Sequence, residues 1–164
     1  MERFTNNRDK FLNQIKTEFL QYDNGEDWEE IFSYVELPFF LRYAWSYNWS
    51  INLKTSIFKL LRKEWNAEYD LNKFDKGVYN LDRFAIKEKE IAINKDDENL
   101  FRTIDWTTID KVKFEGIVLD GLICELRIAK NGKFIKWNSD YEMNQGLNKL
   151  VYTMRNWKRE MKGL

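Results

Sequence analysis

At 164 residues the chain has the length of one domain, and its 43% hydrophobic and 16% aromatic content exceeds that of a disordered segment. Lys and Arg number 27 and so do Asp and Glu, so total charge supplies no general attraction to nucleic acid or to an anionic membrane. The lone cysteine, Cys124, excludes an intrachain disulfide, and the absence of histidine excludes Ser-His-Asp and Cys-His nucleophile systems and a His general base.

The stretch Met1 to Lys10 is polar and lacks the apolar core of a secretion signal, and no apolar run approaches the ~18 residues of a membrane span. The expected compartment is the cytoplasm, with no membrane contact. Glycine is scarce, Pro38 is the one proline, and no repeat or linker composition occurs, which predicts a single globular domain over residues 1–164.

Phe11, Leu12, Ile15 and Phe19 recur at helical spacing and Tyr22 continues the stripe. They predict a first helix from Arg8 to Gln21, capped by Asn6 or Asn7 and stopped by Asp23-Asn24-Gly25. Trp28, Ile31, Phe32 and Val35 predict a short second helix over Asp27 to Val35, ended by Pro38. Phe39, Leu41, Tyr43, Trp45, Tyr47, Trp49, Ile51 and Leu53 then fall at odd positions, and from Arg42 onward they alternate with Arg42, Ala44, Ser46, Asn48, Ser50, Asn52 and Lys54. Period two predicts a half-buried strand here, or two strands joined near Tyr47-Asn48, in preference to a helix starting at Pro38. Ile57, Leu60, Leu61 and Trp65 predict a helix from Ser56 to Glu68. Phe84 and Ile86, with Ile91 and Ile93 beyond Lys87-Glu88-Lys89, predict a hairpin. Leu100, Phe101 and Ile104 predict a short helix over Asp96 to Ile104.

Val112 to Leu119, Leu122 to Ala129 and Lys133 to Trp137 are strand-like runs separated by Asp120-Gly121 and Asn131-Gly132, which predicts a three-stranded antiparallel meander. A two-residue loop at Asn131-Gly132 pairs Ile128 with Ile135 and Leu126 with Trp137. A three-residue loop or bulge at Asp120-Gly121 keeps the apolar residues of the first two runs on one face. Met143, Leu147, Leu150, Val151, Met154, Trp157 and Met161 predict a last helix from Tyr141 to Met161, with Ser139 and Glu142 at capping-box spacing. Trp137 and Trp157 are both expected to be buried. The predicted fold is α+β: a mainly antiparallel sheet including the C-terminal meander, with the N- and C-terminal helices packed on one face.

A single Cys and no His leave too few zinc ligands, and neither GxGxxG nor GxxxxGK[ST] occurs, so no metal and no cofactor is expected. Carboxylate chemistry remains open. Glu115, Asp120 and Glu125, followed by Arg127, resemble the layout of restriction-type nucleases, but Arg stands where that pattern has Lys and the spacing from Asp120 to Glu125 is short. Solvent-facing positions on a one-sided strand account for Glu125 and Arg127 more simply. The ladder Tyr43, Trp45, Tyr47 and Trp49 invites base stacking, yet an amphipathic strand needs the same ladder for its core. Lys149, Arg155, Lys158, Arg159 and Lys162 suit the C-terminal end of a helix dipole. Cys124 reads as a buried small hydrophobe.

The segment from Asp23 to Leu41 contains no Lys or Arg and carries Glu26, Asp27, Glu29 and Glu30. Trp28, Ile31 and Phe32 are expected to anchor a helix that turns these four carboxylates outward as the candidate partner-binding residues. The chain is therefore expected to be a non-catalytic macromolecule-binding protein, an inhibitor or immunity-type protein of bacterial or phage origin that neutralises a protein partner. A Mg²⁺-dependent nuclease using the meander carboxylates, or a nucleic-acid-binding module, are the alternatives.

Overall fold

A chain whose apolar residues fall on both sides of an extended backbone builds a sheet covered on two faces, and this one does so. The computed structural model describes the backbone of residues 2–38, 43–77, 84–113, 115 and 122–160. In chain order these form α1 (Glu2–Leu20), β1 (Trp28–Pro38), β2 (Tyr43–Asn52), β3 (Phe58–Asn66), α2 (Ala67–Asp75), β4 (Ile86–Ile91), α3 (Lys95–Thr103), β5 (Leu122–Ile128), β6 (Lys133–Trp137) and α4 (Gln145–Glu160). The strands make one six-stranded sheet in the order β4-β3-β2-β1-β5-β6, and every described pair is antiparallel. The fold is thus α+β with an antiparallel sheet. No helix among the described residues is long and apolar enough to cross a membrane.

The terminal helices lie on opposite faces of the sheet, not on one. Phe11, Ile15 and Phe19 of α1 pack with Val35, Ala44, Trp65 and Phe74 of α2 on what we call the α1 face. Leu147, Leu150, Val151 and Met154 of α4 pack with Phe32, Tyr34, Tyr47, Trp49, Leu126, Ile135 and Trp137 on the α4 face, where α3 contributes Phe101. On this face Trp49 lies 4.5 Å from Phe101 and stacks on Phe32 at 6.3 Å between ring centroids. Aromatic pairs at such distances add to the burial of their area.

Double coverage explains two helices that the sequence predicts and the structure replaces with strands. Over Asp27 to Val35 the chain is β1, and an extra residue at Ile31 shifts its register between Glu30 and Phe32. A bulge reverses the alternation, so an apolar set spaced like a helix face becomes two short strand patterns in sequence. In place of the helix expected over Ser56 to Glu68 the chain forms β3 over Phe58–Asn66 and enters α2 at Ala67: Leu60 packs on the α4 face, Leu61 and Trp65 lie on the α1 face, and Ile57 is exposed before the strand. A strand buried on both faces loses period two and imitates a helix. The expected hairpin at Lys87-Glu88-Lys89 is the single strand β4, paired along β3.

The predicted meander is also revised. β5 pairs with β1 on one side and β6 on the other, where the expected meander has the Val112–Leu119 run in place of β1. Val112, Lys113 and Glu115 are not in strands, and the remainder of that run, with Asp120-Gly121, lies outside the described residues. The β5–β6 hairpin exists, but Leu126 pairs with Ile135 and Cys124 with Trp137. A 3-10 turn at Ala129–Asn131 and Gly132 at φ +65 lengthen the loop and move the register by two, which leaves every side chain on its expected face.

Helix starts differ for local reasons. α1 begins at Glu2, so Asn6 and Asn7 lie inside it. α3 agrees with the expectation, and Asn94 caps it by accepting from the Asp97 N–H at 2.8 Å. Before α4, Ser139 caps a 3-10 turn at Asp140–Glu142, and Asn144 accepts from Leu147 N–H at 2.9 Å as the helix cap. Trp137 is buried as expected, while the Trp157 side chain lies outside the described residues.

Candidate functional site

The four acidic candidates sit at the start of β1 and in the turn before it. Because that segment is extended and not helical, their side chains do not share one surface. Asp27 pairs with Lys54 at 2.8 Å. Glu30 turns toward the α1 side, where it accepts from Asn48 Nδ2 at 2.6 Å and from Ser33 Oγ at 3.1 Å. Asn48 in turn accepts from Asn24 Nδ2 at 2.9 Å, which ties the Asp23–Gly25 turn to the sheet. Glu29 pairs across from Ile51 and emerges on the α4 side. Glu26 and Glu29 are exposed, and neither makes an ion pair among the described residues. The structure therefore separates two structurally engaged carboxylates from two that are open to a ligand.

Glu29 and Glu30 both line a groove of about 450 Å³, together with Ile31, Ile51, Phe58, Phe101 and Trp106, although the Glu30 carboxylate is bonded on the α1 side. The bulge at Ile31 and the docking of α3 create it. Phe101 packs on Phe32 at 5.4 Å and Trp106 on the same ring at 5.5 Å, which leaves a gap over Phe58 and Ile51. Arg102 covers the Phe58 ring at 4.1 Å and bonds Glu98 at 2.6 Å, so this rim cation is already neutralised. Lys130 completes the rim. An apolar floor with charged margins is the ordinary build of a protein-recognition surface.

Of the other sequence candidates, those described have separate partners. Glu125 is buried at 6% exposure and held by Lys16 at 2.7 Å and Lys136 at 3.5 Å, a carboxylate neutralised by two lysines. Glu115 is exposed and pairs with Lys113, and Asp120 lies outside the described residues. Among the described residues no group of three or more His, Cys, Asp or Glu could hold a metal ion. In the aromatic ladder Tyr47 and Trp49 are core and Trp45 is half-buried, while Tyr43 is exposed.

A polar cluster that sequence reasoning misses lies under α4. Glu36 accepts from Tyr34 OH at 2.9 Å and Arg155 Nε at 3.2 Å, and Arg155 Nη1 reaches Asp140 at 2.7 Å. Burial, with the Glu36 charge adding to it, pushes the Cys124 thiol up to about 12. Burial raises Tyr34 well above the ordinary phenol range, reinforced by Cys124 and Glu36. Burial alone would lower Arg155, but its hydrogen bond to Asp140 and the facing Tyr34 and Glu36 raise it. The thiol stays protonated and unreactive in this setting. Glu36 and Arg155 are too far apart in sequence for any local pattern to pair them, and Phe58 is likewise remote in sequence from Phe101 and Trp106.

In comparisons with known proteins, no family model, no curated protein and no solved structure matches the chain.

Proposed function

We propose that this chain is a non-catalytic protein-binding domain of the inhibitor or immunity type, of bacterial or phage origin, that neutralises a protein partner. It meets that partner with Glu26 and Glu29 and with the groove beside Glu29. The observation that carries this reading is an exposed carboxylate, Glu29, free of ion pairs among the described residues, on a groove lined by Phe58, Phe101 and Trp106, with Glu26 exposed in the turn before it. A partner of matching chemistry presents an apolar anchor flanked by Lys or Arg. The anchor supplies affinity by burial, and the charges steer the encounter.

The test begins with the partner purified after affinity capture from the native host. Glu26→Lys with Glu29→Lys is expected to slow association and weaken binding by about tenfold at low salt, with a smaller deficit at moderate salt. Trp106→Ala is expected to weaken binding at both salts, because its contribution is burial. Unchanged affinity of the charge-reversed chain at both salts, with its circular dichroism intact, would remove this surface as the interface.

A further inference from the structure

The outer edge of β4 carries a second recognition pattern, independent of the β1 surface. β4 ends the sheet, and among the described residues no strand pairs with its outer side. Its sequence is Ile-Lys-Glu-Lys-Glu-Ile, and Lys87, Glu88, Lys89 and Glu90 are all exposed. The pairing of Arg62 with Lys89 and Leu60 with Ile91 sets Lys87 and Lys89 on the α4 face. The pairing of Lys63 with Glu88 and Trp65 with Ile86 sets Glu88 and Glu90 on the α1 face. One face of this edge is therefore basic and the other acidic.

We propose that the outer edge of β4 is an interaction surface for an added antiparallel strand in which acidic and basic side chains alternate, and that the same pattern turns away antiparallel pairing with a second copy of this chain. A bare sheet edge pairs with a strand through its main chain, and side chains directly opposite each other decide which strand. Two copies meeting edge to edge in the antiparallel sense, about a twofold axis perpendicular to the sheet, keep their faces aligned. In every such register Lys87 and Lys89 stand opposite Lys or Ile91, and Glu88 and Glu90 stand opposite Glu or Ile86. Like charges directly opposite destabilise a pair, and opposite charges stabilise it. A strand alternating in the complementary sense meets four opposite charges. It also gives Lys89 an acidic neighbour that β3 does not, because β3 places Arg62 beside it. Glu88 is already oriented by Lys63 at 3.5 Å.

The folded probe is this same chain with the four charges exchanged: Lys87→Glu, Glu88→Lys, Lys89→Glu and Glu90→Lys. Sedimentation is expected to show no β4-mediated dimer of either chain alone and a one-to-one complex when the two are mixed. The exchange places Lys beside Lys63 and Glu beside Glu64, so its fold is checked by circular dichroism, and a second arm leaves the wild-type chain intact. In that arm two labelled, end-capped peptides of about ten residues share one composition, with Lys and Glu alternating in one and grouped in blocks in the other. The alternating peptide is expected to bind about tenfold tighter, with amide shifts on residues 86–91, and Lys87→Glu with Lys89→Glu is expected to abolish that preference. Equal affinities for the two peptides, failure of both to bind, or a wild-type dimer paired through β4 would overturn the proposal.

Discussion

The two faces of the sheet meet the same demand, a helix to be seated, with different chemistry. The α4 face seats its helix on stacked rings and aliphatic side chains, and its polar groups gather at one end around Glu36 and Arg155. Under α1 the face is apolar at Val35, Ala44 and Trp65, but beside these Ser46, Asn48, Ser50, Lys63 and Glu125 are buried as well. Several of these polar groups work on the helix and the turn after it. Ser46 Oγ donates to the Phe19 carbonyl at 3.0 Å, and Lys63 Nζ donates to the carbonyls of Glu18 and Gln21. Carbonyls at a helix C-terminus lack partners within the helix, and a cation there also suits the dipole. The contrast teaches that one face is held by packing and the other by bonds that fix where α1 ends and how the Asp23–Gly25 turn leads into the acidic start of β1.

The largest effect is expected on the packed face. Trp49→Ala removes a fully buried ring that touches Phe32, Phe58 and Phe101, and it should cost about 3–5 kcal/mol in denaturant melts. On the bonded face Lys63→Ala should cost about 1–3 kcal/mol, because it strips the donors from the end of α1. Hydrogen exchange should rise in α1 before it rises in α4 in that variant; equal loss in both helices would erase the distinction between the faces.

Alkaline pH sharpens the same comparison. Burial, opposed by Arg62 and reinforced by Glu36 and Glu64, pushes the Tyr47 phenol from 10.0 up to about 12. Cys124 moves from 9.0 up to about 12. A group whose folded pKa is raised contributes stability that is complete below its unfolded value and is lost as pH climbs through the folded one. Stability should therefore hold up to about pH 9 and decline between there and pH 12. The α4 face holds Tyr34, Tyr47 and Cys124, and burial likewise raises Tyr22, which bonds Ser46 beneath α1. Tyrosinate absorbance with thiol labelling should show Cys124 reacting only as the chain unfolds. Labelling of Cys124 near pH 9 in the folded chain would contradict the burial assigned to it. The smallest effect is expected from Glu29→Lys, within about ±0.5 kcal/mol, since an exposed carboxylate outside any described ion pair holds neither face.

What the sequence makes legible divides from what it hides by whether one side of an element is apolar or both are. Elements with one apolar side are legible: the stripe of Phe11, Ile15 and Phe19, the α3 segment and the Leu147–Met154 stripe fold as their spacing predicts, and β2, though buried on both faces and not half-buried as expected, still reads as a strand because the face it turns to α1 carries Ala44, Ser46, Asn48 and Ser50. Segments apolar on both faces are not, because Leu60 and Leu61 in β3, or Tyr34 and Val35 in β1, are buried on opposite faces of the sheet while adjacent in sequence. The same difficulty hides the site. Glu26, Asp27, Glu29 and Glu30 read as one acidic group, and the strand with its bulge divides them into Glu29 on a groove, Glu30 bonded inward and Asp27 paired to Lys54. Contacts such as Glu36 with Arg155 depend on which face each helix covers, and composition carries no trace of that.

The proposed protein partner sits on the acidic start of β1 and the groove beside it. Hydrogen exchange of the chain alone and in complex with the purified partner tests it most directly. Protection confined to residues 26–31, the β2–β3 turn and residues 101–106 is the predicted result. Protection that leaves those segments unchanged and appears elsewhere on the chain would contradict it.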